Sequence, residues 1–180
     1  MPKIIIADEY EHMRGKTILK AAYPELFEEI LWVLQNTNIP MPSKTSREKT
    51  KSEALVFSGK DFNKPLSASF KTKDWKKRKI RFTKEHRYGI EVDFTKGLVG
   101  IEVQFGKYSF VHHDFNKFLY LFKNRENPID VGVEIVPVKN LQKQFYTGPA
   151  SFESVIASLK SLQRNDPPVP LWIIGIDLED

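Results

Sequence analysis

From Gly89 to Tyr108 the sequence reads Gly-Ile-Glu-Val-Asp-Phe-Thr-Lys-Gly-Leu-Val-Gly-Ile-Glu-Val-Gln-Phe-Gly-Lys-Tyr, an alternation of apolar and polar residues that fits a β-hairpin. Successive side chains of a strand point to opposite faces, so Glu102 and Gln104 share one face and Val99, Ile101, Val103 and Phe105 take the other. A two-residue turn at Lys96-Gly97 pairs Thr95 with Leu98 and sets Asp93 opposite Gly100. Asp93 is then a diagonal neighbour of Glu102 on the polar face. Two carboxylates beside a backbone carbonyl are the hard oxygen set that Mg2+ prefers. The same spacing also suits an antiparallel strand with one solvated face.

A chain of 180 residues with 41% hydrophobic side chains can bury one core, so one domain spanning 1–180 is expected. Its net charge of +5 favours a polyanionic partner without saying which. The absence of cysteine excludes disulfides, thiolate zinc sites and a catalytic thiol. The opening Met-Pro-Lys-Ile-Ile-Ile is too short an apolar run for a signal-peptide core or a membrane span, so a soluble cytoplasmic protein with no membrane partner is the expectation. There is no internal repeat or low-complexity tract.

Along the chain, Ile4 to Ala7 reads as a short strand and about Glu11 to Asn36 as helical, with Pro24 either starting a new helix or kinking one. Phe27, Ile30, Leu31 and Leu34 form a stripe at helical spacing, suited to core packing or to a subunit interface. Asn36 to Lys51 turns to Pro, Ser, Thr, Asn and Lys, the composition of an exposed connection. Ala54 to Phe57 suggests a brief strand and Phe62 to Thr72 a helix. Asp74 to Lys84 concentrates Lys76, Lys77, Arg78, Lys79, Arg81 and Lys84 around Trp75, either a solvated face or a stretch that contacts phosphates. Further on come a helical stripe of Phe115, Phe118, Leu119 and Phe122, a strand over Val131 to Val138, and a second stripe within Phe152 to Leu162. The nearly continuous apolar run Leu171 to Ile176 is typical of a strand covered on both faces. This order predicts an α/β fold, a mixed central sheet flanked by helices.

The hairpin resembles the catalytic motif of type II restriction endonucleases of the PD-(D/E)XK superfamily, in the version Asp-x8-Glu-x-Gln of the BglII and BstYI group. Most of that superfamily has Lys where Gln104 stands. The resemblance continues through Phe105-Gly-Lys-Tyr-Ser-Phe110, Ile129-Asp-Val-Gly-Val-Glu-Ile-Val-Pro137 and Val169-Pro-Leu-Trp-Ile-Ile-Gly175, and more weakly through Ser46-Arg-Glu-Lys-Thr-Lys51 and Asp74-Trp-Lys-Lys77. It implies a restriction-endonuclease-like fold and a Mg2+-dependent, homodimeric enzyme that cuts both strands of double-stranded DNA at a short palindrome. A GATC core is the family-based expectation.

The resemblance also implies roles. Asp93 is the bridging metal ligand, Glu102 the second carboxylate and the Val103 carbonyl a third ligand. Gln104, a neutral amide, orients the attacking water and cannot supply positive charge or act as a base. Arg78 departs from the small polar residues of the relatives at its position and serves either the active site or a phosphate. Lys76 and Lys77 belong to the phosphate-contacting stretch. Lys107 reaches a base edge, guanine being the natural target, or else a phosphate. Gln144 to Ser151, including Thr147, matches the position of a recognition loop. A DNA-binding protein that cuts nothing and a structure-selective repair nuclease are the alternatives. The four histidines, His12, His86, His112 and His113, complete no zinc set, although His112 or His113 with Asn116 suits a His-Asn-His nuclease. There is no nucleophile elbow and no P-loop.

Overall fold

Leu171 to Leu178 and Val131 to Pro137 carry almost nothing but apolar side chains, and such strands are stable only when both faces are covered. In the computed structural model, which describes residues 1–46, 53–81, 89–126, 128–145, 148–162 and 164–179, they lie side by side at the centre of a sheet. The elements in chain order are β1 (Ile4–His12), α1 (Gly15–Ala22), α2 (Pro24–Asn36), β2 (Lys44–Thr45), β3 (Leu55–Val56), α3 (Gly59–Thr72), β4 (Lys76–Arg81) and β5 (Gly89–Lys96). There follow β6 (Val99–Val103), α4 (Ser109–Lys123), β7 (Val131–Pro137), α5 (Lys139–Gln142), α6 (Phe152–Ser161) and β8 (Leu171–Leu178). Among the described residues the main sheet has the order β1-β8-β7-β6-β5-β4, with β6, β7 and β8 mutually parallel and the other neighbours antiparallel. The mixed sheet flanked by helices is therefore as the sequence implied.

Helices cover both faces. Phe27 of α2 stacks on Trp172 of β8 at 5.2 Å, and Phe70 of α3 stacks on Phe94 of β5 at 4.6 Å. The opposite face receives α4 and α6. Gly132 is what lets α4 come close, because a Cβ there would lie 2.7 Å from the Phe118 ring. A further aromatic cluster, Phe57, Phe62, Phe105 and Phe145, anchors the end of β6 to the start of α3, with Phe62 and Phe105 at 4.7 Å and Phe105 parallel to Phe145 at 5.5 Å. Among the described residues no helix is long and apolar enough to cross a membrane.

Several local expectations are corrected. The first strand runs to His12 instead of Ala7, because β1 pairs along its length with β8 at the sheet edge and takes residues assigned to a helix. Pro24 begins a new helix, at a position where its missing N–H costs nothing. The buried stripe of α2 is Phe27, Ile30, Val33 and Leu34, with Leu31 only partly covered, while in α4 Leu121 is buried and Phe122 is exposed. The connection after Asn36 is not wholly exposed, since Thr37, Ile39 and Ser46 are buried. Arg47 to Lys51, Lys84 and His86 lie outside the described residues.

Candidate active site

The turn between β5 and β6 is formed by Gly97 and Leu98, one residue later than expected. Gly97 takes φ +55°, as a tight hairpin turn with Gly in its first central position requires, and the ladder pairs Lys96 with Val99, Thr95 with Gly100 and Phe94 with Ile101. The shift moves Asp93 from opposite Gly100 to the level of Glu102, just past the last paired residues. There the strands part. A carboxylate oxygen of Asp93 accepts the Val103 N–H at 3.2 Å, while the Gln104 N–H turns to the Ile135 carbonyl of β7 at 2.9 Å. Asp93, Glu102 and the Val103 peptide thus meet where β6 leaves β5 for β7.

The polar face of β6 is not solvated, because α4 lies over it. Glu102 is only 3% exposed, and its Oε1 is 2.9 Å from the Nζ of Lys117, which also pairs with Asp114 one turn earlier at 2.7 Å. Asp114 in turn accepts the Gln104 Nε2–H at 2.6 Å, and the Gly106 N–H donates to Gln104 Oε1 at 2.7 Å. In parallel register with Glu102 stands Glu134 on β7, fully buried, with neither oxygen hydrogen-bonded. Asp114, Lys117 and Glu134 were not assigned in the sequence. The readable signals were an acid in a strand otherwise too apolar to face water, and an Asp and Lys three apart on the helix following the motif.

This crowding raises the cost of negative charge. Burial pushes the Glu102 carboxyl up to about 9, helped by Asp93 and Asp114 and opposed by Lys117. Burial likewise raises Asp114, against the pull of Lys117, and holds Glu134 well above the usual carboxylate range. Burial disfavours the Lys117 ammonium, but Glu102 and Asp114 more than offset this and keep it charged. The cluster has more carboxylates than its one buried lysine can neutralise, so it calls for a proton or a further cation. The donor set therefore fits a divalent ion. Among the described residues no three acidic or histidine side chains converge to hold a metal alone, so a backbone oxygen would complete the set.

Beside this cluster runs a cleft with Asp93 and Val103 in its floor. One wall is the exposed side of α3, with Lys60, Asn63, Lys64 and Lys71, and Lys77 of β4 stands at the edge. Lys60 and Asn63 also line the adjoining hollow that holds Gln104 and Lys44. The sequence singled out none of the α3 lysines, and Lys60 lies before the helix it predicts over Phe62 to Thr72. Of the basic stretch, Lys77 lines the cleft and pairs with Glu91, as does Lys79 at 2.9 Å, whereas Lys76 and Arg78 do not line it. Lys77 and Lys79 meet the same partner, so Arg78 between them points to the other side of the strand.

The family model for the restriction endonuclease BglII/BglIII matches residues 7–176, nearly the whole chain. The chain belongs to the BglII/BglIII restriction endonuclease family. It is accordingly a type II restriction endonuclease by family, a hydrolase that cleaves DNA. Its fold is similar to that of BglII crystallised with a DNA 16-mer, with TM-score 0.79 and 24% identity over 99% of this chain and 79% of that one. Free BglII gives TM-score 0.70 and 22% identity over 99% of this chain and 80% of that one. No curated protein matches the sequence.

In this BglII-type frame the residues expected to touch DNA outside the cleft divide. Lys107 is exposed, and its segment is tied to the loop before α6 by a bridge to Pro149 and by the Tyr108 N–H donating to the Gly148 carbonyl at 3.1 Å. Gln144 is exposed but lines a separate hollow with Met41, Pro42, Asn140 and Glu179. Ser151 is a correction. It is 4% exposed and caps α6, accepting the Ser154 N–H at 3.3 Å, so its hydroxyl serves the helix instead of facing a ligand. Thr147 lies outside the described residues. His12 is buried and bonds the Pro167 carbonyl at 2.8 Å, a structural contact.

Proposed function

We propose that this protein is a Mg2+-dependent, homodimeric restriction enzyme that makes double-strand cuts at a short palindromic sequence, with a GATC core as the first sequence to test. The observation that carries this reading is the placement of Asp93 and Glu102 beside the Val103 peptide at the parting of β5 and β6, under a cleft edged with lysines. Asp93, Glu102 and the Val103 carbonyl would hold the ion, with Asp93 nearest the cleft. When bound, Mg2+ stabilises charge developing on the phosphoryl and departing 3′-oxygens. Gln104, gripped by Asp114 and Gly106, keeps one N–H and one lone pair with which to orient a water or a phosphate oxygen. Lys60, Lys64, Lys71 and Lys77 bind the DNA backbone, and Lys107 with the adjoining loop reads bases. A palindrome needs one such centre per strand, hence a symmetric pair of chains. The cytoplasm, beside the DNA and a protecting methyltransferase, is where such an enzyme works.

Incubation with unmethylated plasmid or phage DNA in Mg2+, with EDTA as control, followed by sequencing of fragment ends, tests the reading. Discrete Mg2+-dependent fragments ending in one palindrome are expected, and a smear would indicate a nuclease without fixed sequence. Intact DNA despite tight binding would indicate a DNA-binding protein that cuts nothing.

A further inference from the structure

We propose that Lys117 is a positioning residue of the active site, one ammonium that sets both Glu102 and Gln104 from behind. The proposal rests on the nuclease reading for what these two residues do, and on distances alone for how they are held. Lys117 is 11% exposed and its two partners are 4% and 3% exposed, so water does not compete for their charges. It does not line the cleft, and it therefore acts through its neighbours. Its Nζ lies 2.9 Å from Glu102 and 2.7 Å from Asp114, and Asp114 takes the Gln104 Nε2–H at 2.6 Å.

The three-residue step from Asp114 to Lys117 on α4 matches the two-residue step from Gln104 to Glu102 on β6. One helical turn therefore grips two successive residues of the strand's polar face. A carboxylate only accepts hydrogen bonds, so Asp114 fixes which end of the Gln104 amide faces it, and the Gly106 N–H fixes the other end at 2.7 Å. Without Lys117, Asp114 and Glu102 repel, and both Gln104 and Glu102 lose their set directions. Outer residues that orient metal ligands commonly control activity 10- to 100-fold.

The test uses the full chain with Lys117→Met, assayed for cleavage at saturating DNA and Mg2+, for DNA binding in EDTA, and for Mn2+ binding without DNA. The expected result is a kcat lower by about 10- to 100-fold and a weaker affinity for Mn2+, because Glu102 is no longer aimed at the ion, with KM and DNA affinity in EDTA unchanged. Unchanged kcat, or unchanged Mn2+ affinity, overturns the proposal. Should Lys117→Met fail to fold, the double variant Asp114→Asn/Lys117→Gln removes both buried charges together and must show the same pattern. If the unmodified chain cuts no DNA, the nuclease reading fails. Mn2+ binding and the side-chain amide NMR signal of Gln104 then decide: a signal unmoved by Lys117→Met overturns the positioning role.

Discussion

Replacing Glu134 by Gln should stabilise the protein by an amount that grows with pH. The side chain is fully buried on β7 and neither oxygen has a hydrogen-bond partner. Burial, together with nearby Asp114 and Glu102, pushes its carboxyl well above the ordinary 4.5. The folded protein therefore holds the Glu134 proton to a higher pH than the unfolded chain does. With one more proton bound in the folded state, stability falls as pH rises, by about 1.4 kcal/mol per pH unit. The loss begins near the unfolded value and continues up to the folded one. Gln has nearly the same shape and is neutral in both states, so it isolates this proton. For a chain of this size each kcal/mol gained raises Tm by about 2–4 °C, so the rise grows with pH. Urea denaturation of both proteins in EDTA at pH 5, 6, 7 and 8 measures it. A gap that stays flat over that range would refute the neutral, buried Glu134.

Asp93→Asn and Glu102→Ala should each remove plasmid cleavage while leaving DNA retention in gel shifts largely intact, and full activity in either would sink the assigned metal site. Lys64→Ala should weaken DNA binding uniformly across sequences and lower the slope of log K against log salt by about 0.9, the value of one phosphate contact. An unchanged slope would place DNA elsewhere than along α3. Ser151→Ala should lower stability by about 1 kcal/mol in urea denaturation through loss of the α6 cap and leave the fragment ends unaltered. A changed cutting pattern would restore Ser151 to the recognition loop.

The strands of the core were legible because Leu171 to Ile176 and Val131 to Val138 are apolar enough to demand cover on both faces. The β5–β6 hairpin was legible because residue identity and period fixed Asp93, Glu102 and Gln104 on neighbouring strands. The reading failed where a distant partner, or a choice between equally good local patterns, decides the outcome. His12 belongs to a strand only because β8 lies beside it, and the turn at Gly97-Leu98 was misplaced by one residue because Lys96-Gly97 satisfies the local rules equally well. Ser151 sits directly before a helix the sequence does predict, and only its burial and its bond to the Ser154 N–H turn its hydroxyl to the cap.

The sequence by itself determined the sheet-and-helix class, the hairpin that carries Asp93 and Glu102, and the basic character that suits DNA, since each depends on residue type and short-range period. Only the tertiary structure decided that the polar face of β6 is buried beneath α4. That burial makes Lys117 and Asp114 partners of Glu102 and Gln104, leaves Glu134 in the same low-dielectric cluster without a hydrogen bond, and brings the α3 lysines alongside Asp93. These groups are distant in the chain, and charge interactions of such strength arise only where packing has excluded water.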